Sequence, residues 1–132
     1  MNALAGKRIL LVEDEILVAA MVVDMLVGLG ATVIGPATTL AKGLSLAETE
    51  EFDAAVLDIN LRGERIDPVA DLLEARGIPM LFATGYGAAA GDHRKDAHVI
   101  DKPYTQERLA SALLRAMTAP SSAPKSAPTQ GK

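Results

Sequence analysis

The sequence predicts an α/β fold in which five parallel strands form a doubly wound sheet with helices on both faces. Three observations carry that expectation. Short apolar runs alternate with segments of helical periodicity, the rhythm of a parallel sheet with crossover helices. Two of the runs, Ile9-Leu10-Leu11-Val12 and Ala54-Ala55-Val56-Leu57, are apolar throughout, as buried strands are. Charge punctuates three run ends: Glu13-Asp14 closes the first, Asp58 closes the second, and Lys102 follows Val99-Ile100-Asp101. The carboxyl ends of parallel strands share one edge of the sheet, where open α/β proteins bind ligands.

Arg8–Val12 reads as the first strand. A helix over about Glu15–Leu29 follows, with Leu17, Met21, Met25 and Leu26 at helical spacing and Gly30 where a terminating glycine belongs. The second strand is Thr32–Gly35, ended by Pro36, and the second helix is about Thr39–Glu48, with Thr38 or Thr39 as its cap. Ala54–Ile59 is the third strand. Asp67-Pro68 places a cap before a proline at the first helical position of a helix over about Pro68–Ala75, which Gly77 stops. Met80–Thr84 is the fourth strand, with Pro79 at its tolerated leading position. The fourth helix must lie within Gly87–Asp96; glycine and alanine dominate there, so it buries little and is expected to be the most mobile element. His98–Ile100 and Thr105–Met117 give the last strand and helix, with Thr105 as cap.

At 132 residues the chain fits one domain with a real core. We read residues 1–117 as that domain and residues 118–132, rich in Ala, Pro and Ser, as a disordered tail. With no cysteine, disulfides, thiolate metal sites and cysteine nucleophiles are excluded. A net charge of −4 with 3% aromatics lacks the basic, stacking surface of a nucleic-acid binder. No apolar stretch approaches the length of a membrane span, and Lys7-Arg8 before four apolar residues is no signal peptide. A cytoplasmic protein with neither nucleic-acid nor membrane partners is expected.

Three acids and a lysine at strand ends suit a divalent cation and a phosphoryl group. A carboxylate that accepts a phosphoryl group must be exposed and ionised, which is expected of Asp58. Mg²⁺ is held by one or two carboxylates, waters and phosphate oxygens. Asp14 and Asp58 would bind it directly, Glu13 directly or through water, and the backbone carbonyl of Asn60 could add a ligand. Lys102 would neutralise the remaining phosphoryl oxygens, and the Thr84 hydroxyl could meet another. Alone, Asp58 reads as a turn cap and Glu13-Asp14 as helix-capping charge; their shared placement with Lys102 favours one site.

Glu13-Asp14, Asp58, Thr84 and Lys102-Pro103, in this order and each at a strand end, resemble the signature of the receiver domain of two-component response regulators over about residues 6–117. The resemblance implies a flavodoxin-like sheet of order 2-1-3-4-5. It implies a phosphoacceptor at Asp58, Mg²⁺ or Mn²⁺ at Glu13, Asp14 and Asp58, and phosphate contacts from Thr84 and Lys102. Its partners would be a sensor histidine kinase or phosphotransfer protein, and an output protein that the sequence does not identify. The protein would be no enzyme beyond its own phosphorylation and dephosphorylation. The peptide before Pro103 is often cis in this family. Pro79-Met80-Leu81-Phe82-Ala83-Thr84-Gly85-Tyr86 further resembles the stand-alone subgroup named for its Phe-Ala-Thr-Gly-x-Tyr segment, in its shorter form, linked to the HWE and related kinases of alphaproteobacteria.

Two departures stand out. Val99 occupies the place of the family's aromatic switch three residues before the lysine, leaving Tyr86 as the nearby aromatic that could substitute. The loop after Asp58 lacks the usual proline-glycine pair and reads Asn60-Leu61-Arg62-Gly63-Glu64-Arg65, charged and expected to be mobile. The alternative reading is a pseudo-receiver, an interaction module that takes no phosphate; the retained acids and lysine argue against it.

Overall fold

Apolar residues alternate sides along each central strand, so a helix layer is needed on each face. The computed structural model describes residues 2–85 and 97–118. Its elements run β1 (Arg8–Val12), α1 (Ile16–Gly28), β2 (Thr32–Ala37), α2 (Leu40–Thr49), β3 (Ala54–Asp58), β4 (Asn60–Leu61), β5 (Glu64–Arg65), α3 (Asp67–Arg76), β6 (Met80–Gly85), β7 (His98–Lys102) and α4 (Gln106–Thr118). Five strands pair in parallel in the order β2-β1-β3-β6-β7. Counting those strands alone, this is the expected 2-1-3-4-5. The helix expected within 87–96, Tyr86 and the tail beyond Thr118 lie outside the described residues.

Ile9, Leu11, Val56, Leu81 and Ile100 pack with Val22, Leu26, Leu109 and Leu113 in the core under α1 and α4. Leu10, Val12, Leu57 and Phe82 face the other way, onto Ala47, Val69 and Leu73 of α2 and α3. Such side chains contribute roughly 1.5–3 kcal/mol each when fully removed from water. On the second face Gly43 of α2 lies over β1 and α3: a Cβ there would stand 3.4 Å from both Val12 methyls and 3.5 Å from a Val69 methyl, ordinary contact distances.

Helix ends follow the local chemistry. The Thr39 hydroxyl accepts the Lys42 amide at 3.1 Å, and that of Thr105 accepts the Arg108 amide at 3.1 Å. Gly30 and Gly77 take the left-handed conformation after α1 and α3, at φ 93° and 72°.

Four expectations need correction. β2 does not end at Pro36 but runs to Ala37; it is an edge strand, where a missing amide donor is tolerated, and the register against β1 shifts between Leu10 and Val12. Helix α3 begins at Asp67, with Ile66 rather than Asp67 as its cap residue. Leu17 and Met21 are exposed, whereas Ala19, Val22 and Leu26 form the buried face of α1. Apart from the exposed Asp24 this helix is apolar almost all round, so periodicity alone does not select its inner face.

The segment after Asp58 is the fourth correction: read as a charged loop, it is a hairpin. β4 and β5 pair antiparallel, Asn60 with Arg65 and Leu61 with Glu64. Arg62 and Gly63 both have positive φ, 54° and 89°, as a tight two-residue hairpin turn requires. The Asn60 side-chain oxygen accepts the Gly63 amide at 2.8 Å. Leu61 and Ile66, each 1% exposed, root the hairpin in the core.

Candidate functional site

Strand register sets the site. Val12 pairs with Leu57, Asp58 with Ala83, Thr84 with Asp101 and Gly85 with Lys102, so four strands end near one level. Beyond them opens a cleft of about 560 Å³ lined by Asp14, Asp58, Asn60, Arg62, Gly85 and Lys102, among others. Carboxylate oxygens of Glu13, Asp14 and Asp58 lie within 4.8 Å of one another.

Glu13 is buried and uses both oxygens. Oε1 accepts Lys102 Nζ at 2.8 Å, while Oε2 accepts the Glu15 amide at 3.1 Å, at the start of α1. Its own amide donates to the Ala37 carbonyl at 2.9 Å, tying the site to β2. Lys102 Nζ also stands 3.5 Å from Asp58 Oδ2. Burial lowers the proton affinity of this ammonium, but hydrogen bonding to Glu13 and the charges of Asp58 and Glu13 outweigh it and leave the pKa raised. Lys102 is therefore a firm cation. The Lys102–Pro103 peptide is cis.

Asp58 is 7% exposed, which corrects the expectation of an exposed, ionised acid. Burial raises its pKa first, and the negative charge of Glu13 second; Lys102 opposes them, and the result is about 7. Three carboxylates face the two cations Lys102 and Arg62. A divalent cation would supply the missing positive charge and favour ionised Asp58. The oxygen-only donor set suits a hard cation such as Mg²⁺.

The remaining predicted residues fall as follows. Asn60 lines the cleft beside Asp58. Thr84 is buried at the end of β6, its hydroxyl making a long 3.5 Å contact to the Gly85 carbonyl. Val99 is partly exposed on β7, over a depression formed with Glu107, Arg108, Ser111 and Arg115. Two neighbours escaped the sequence reading. Arg62 reaches Asp14, with Nη2 donating to the backbone carbonyl at 3.2 Å and Nε lying 3.6 Å from Oδ2. Tyr104 is an aromatic near the site; burial chiefly, then the charges of Glu13 and Asp58, push its hydroxyl pKa up. Its place two residues after Lys102 was the available signal.

Fold and site together define a receiver domain, and the chain belongs to the response-regulator receiver family of two-component signalling. It is 42% identical to SdrG from Sphingomonas melonis Fr1, with a TM-score of 0.75 to that solution structure, the match covering 90% of this chain and 100% of SdrG. Over 115 residues it is 31% identical to the phyllosphere-induced regulator PhyR of Methylorubrum extorquens, covering 83% of this chain and 43% of PhyR. The chain thus spans less than half the length of that curated relative. The fold also matches the receiver domain of the sensor histidine kinase PA1611 from Pseudomonas aeruginosa, at 22% identity and a TM-score of 0.74, over 87% of this chain and 100% of that one. That structure carries a magnesium ion coordinated in its active-site cleft. No family model matches the chain. Among the described residues no helix is long and apolar enough to cross a membrane.

Proposed function

We propose that Asp58 accepts a phosphoryl group from a sensor histidine kinase, of the HWE type or a relative of it, or from a phosphotransfer protein. The carrying observation is the convergence of three carboxylates with Lys102 Nζ at the ends of β1, β3 and β7. An Asp58 oxygen attacks phosphorus; the P–O bond forms as the P–N bond of the donor phosphohistidine breaks, its electrons remaining on the imidazole nitrogen. Lys102 neutralises charge on the transferred oxygens, and the Thr84 hydroxyl turns from the Gly85 carbonyl to meet one of them. Asp14, Asp58 and the Asn60 carbonyl would hold Mg²⁺ or Mn²⁺, and Glu13 would contribute through water because its oxygens already serve Lys102 and α1. A cation held there would screen the acids from the incoming phosphoryl oxygens. The magnesium in the active-site cleft of the PA1611 receiver supports a divalent cation in the cleft of this fold.

The protein then acts in the cytoplasm as a stand-alone regulator, by phosphorylation-dependent contact with an output protein or as a phosphate sink for a shared kinase. It would catalyse only its own phosphorylation and dephosphorylation. Intact-mass measurement with acetyl phosphate and Mg²⁺ tests the assignment: one phosphoryl group is gained, and Asp58→Asn and Asp58→Ala gain none. Labelling that survives in both variants overturns it. A wild-type chain that gains no phosphate from acetyl phosphate or from its kinase supports the phosphate-independent interaction module instead.

A further inference from the structure

The hairpin after Asp58 brings a second cation to the acids. Arg62 occupies the first turn position at φ 54°, a conformation disfavoured for a long side chain. The turn is held by Asn60 and rooted by buried Leu61 and Ile66, so the backbone at Arg62 is fixed while its side chain stays 70% exposed. From there the guanidinium covers Asp14 at two points, the backbone carbonyl and Oδ2. Glu13 and Asp58 are served by Lys102, which is only partly exposed and held between them. Arg62 thus serves the one acid that Lys102 does not, through a solvated contact of the kind that is individually weak.

We infer that Arg62 is a tethered competitor for the cation position at Asp14, so that divalent metal enters this site by displacing the guanidinium. This inference rests on the proposed metal site. Two effects add in one direction: Asp14 must release Arg62 before it can bind metal, and a positive charge at the cleft mouth repels the entering cation. The competitor also keeps Asp14 compensated when no metal is bound.

Titration calorimetry of the full chain with magnesium chloride at low ionic strength tests this. Arg62→Asn and Arg62→Gly both suit a positive φ, so neither strains the turn. Each is expected to bind Mg²⁺ about 3- to 10-fold more tightly than the wild type, the scale of one partly screened ion pair plus its repulsion of the metal. Arg65→Gln removes the same charge from β5 of the hairpin and is expected to change affinity by less than about twofold, and raising the salt should shrink the Arg62 effect. Equal or weaker binding by both Arg62 variants, or equal tightening by Arg65→Gln, overturns the role of Arg62 and leaves the metal site standing. Absence of Mg²⁺ binding in every protein overturns the metal site and this inference with it.

Discussion

At Asp58 a carboxylate is buried beside another carboxylate, and the cost appears in its proton affinity. Its folded-state pKa of about 7 lies above the ordinary 3.8. The metal-free fold therefore binds a proton more tightly than the unfolded chain does. The resulting stabilisation is complete below the ordinary value and is lost as pH rises through about 7. Asp58→Asn keeps the shape and removes the charge. It should raise the melting temperature of metal-free protein at pH 8 by a few degrees, by less at pH 5, and hardly at all at pH 3, below the ordinary value. Equal melting of variant and wild type at pH 8, in chelator, would contradict this account. The strand-end acids and Lys102 were legible because register delivers every strand end to one edge. The Arg62 contact was not, since it depends on a positive φ that an arginine rarely takes. Nor was the burial of Asp58, which depends on what surrounds the strand end.

Among the elements, α2 and α3 illustrate how much stability rests on single close contacts. Arg76 Nη1 donates to the carbonyls of Ala47 in α2 and of Glu50, that helix's C-cap residue, and its guanidinium lies 5.4 Å from the centre of the Phe52 ring. Arg76→Met keeps an apolar stem against Phe52 but strips both carbonyls of a donor, and should cost about 1–3 kcal/mol in urea unfolding. Arg76→Lys should recover only part of that, since one ammonium does not reproduce the guanidinium fork. At Gly43 the distances to Val12 and Val69 admit one methyl in ordinary contact. Gly43→Ala should accordingly be neutral or stabilise by about 0.5–1 kcal/mol, whereas Gly43→Leu should destabilise by about 1–3 kcal/mol through overpacking. A Gly43→Ala variant that unfolds at markedly lower denaturant would show that α2 has less room than these distances imply. The main helices and strands were readable from caps and apolar runs such as Thr39 and Ile9-Leu10-Leu11-Val12. The β4–β5 hairpin was not, because two residues per strand give no alternation; its only sequence cue was a glycine after Arg62. Pro36 misled because an edge strand needs no amide on its outer side.

For the whole molecule, the two-sided core serves to hold like charges together. Hydrophobic packing on both faces fixes β1, β3 and β7, and their ends force three acids into a space served by Lys102 and an exposed Arg62. Metal binding should therefore report on the entire fold. A ligand bound only by the folded state adds RT ln(1 + [L]/Kd), roughly 1.4 kcal/mol at metal tenfold above its Kd. In a domain of this size that is about 3–6 °C of melting temperature. Asp14→Asn should abolish the Mg²⁺-dependent shift, because it removes a ligand charge from the cleft. Protons compete with metal at Asp58, so the shift should be larger at pH 8 than at pH 6, on either side of its metal-free pKa of about 7. Scanning calorimetry at both pH values, with magnesium and with chelator, separates the outcomes. A shift that persists in Asp14→Asn, or one that is larger at pH 6, would place the cation away from these strand ends.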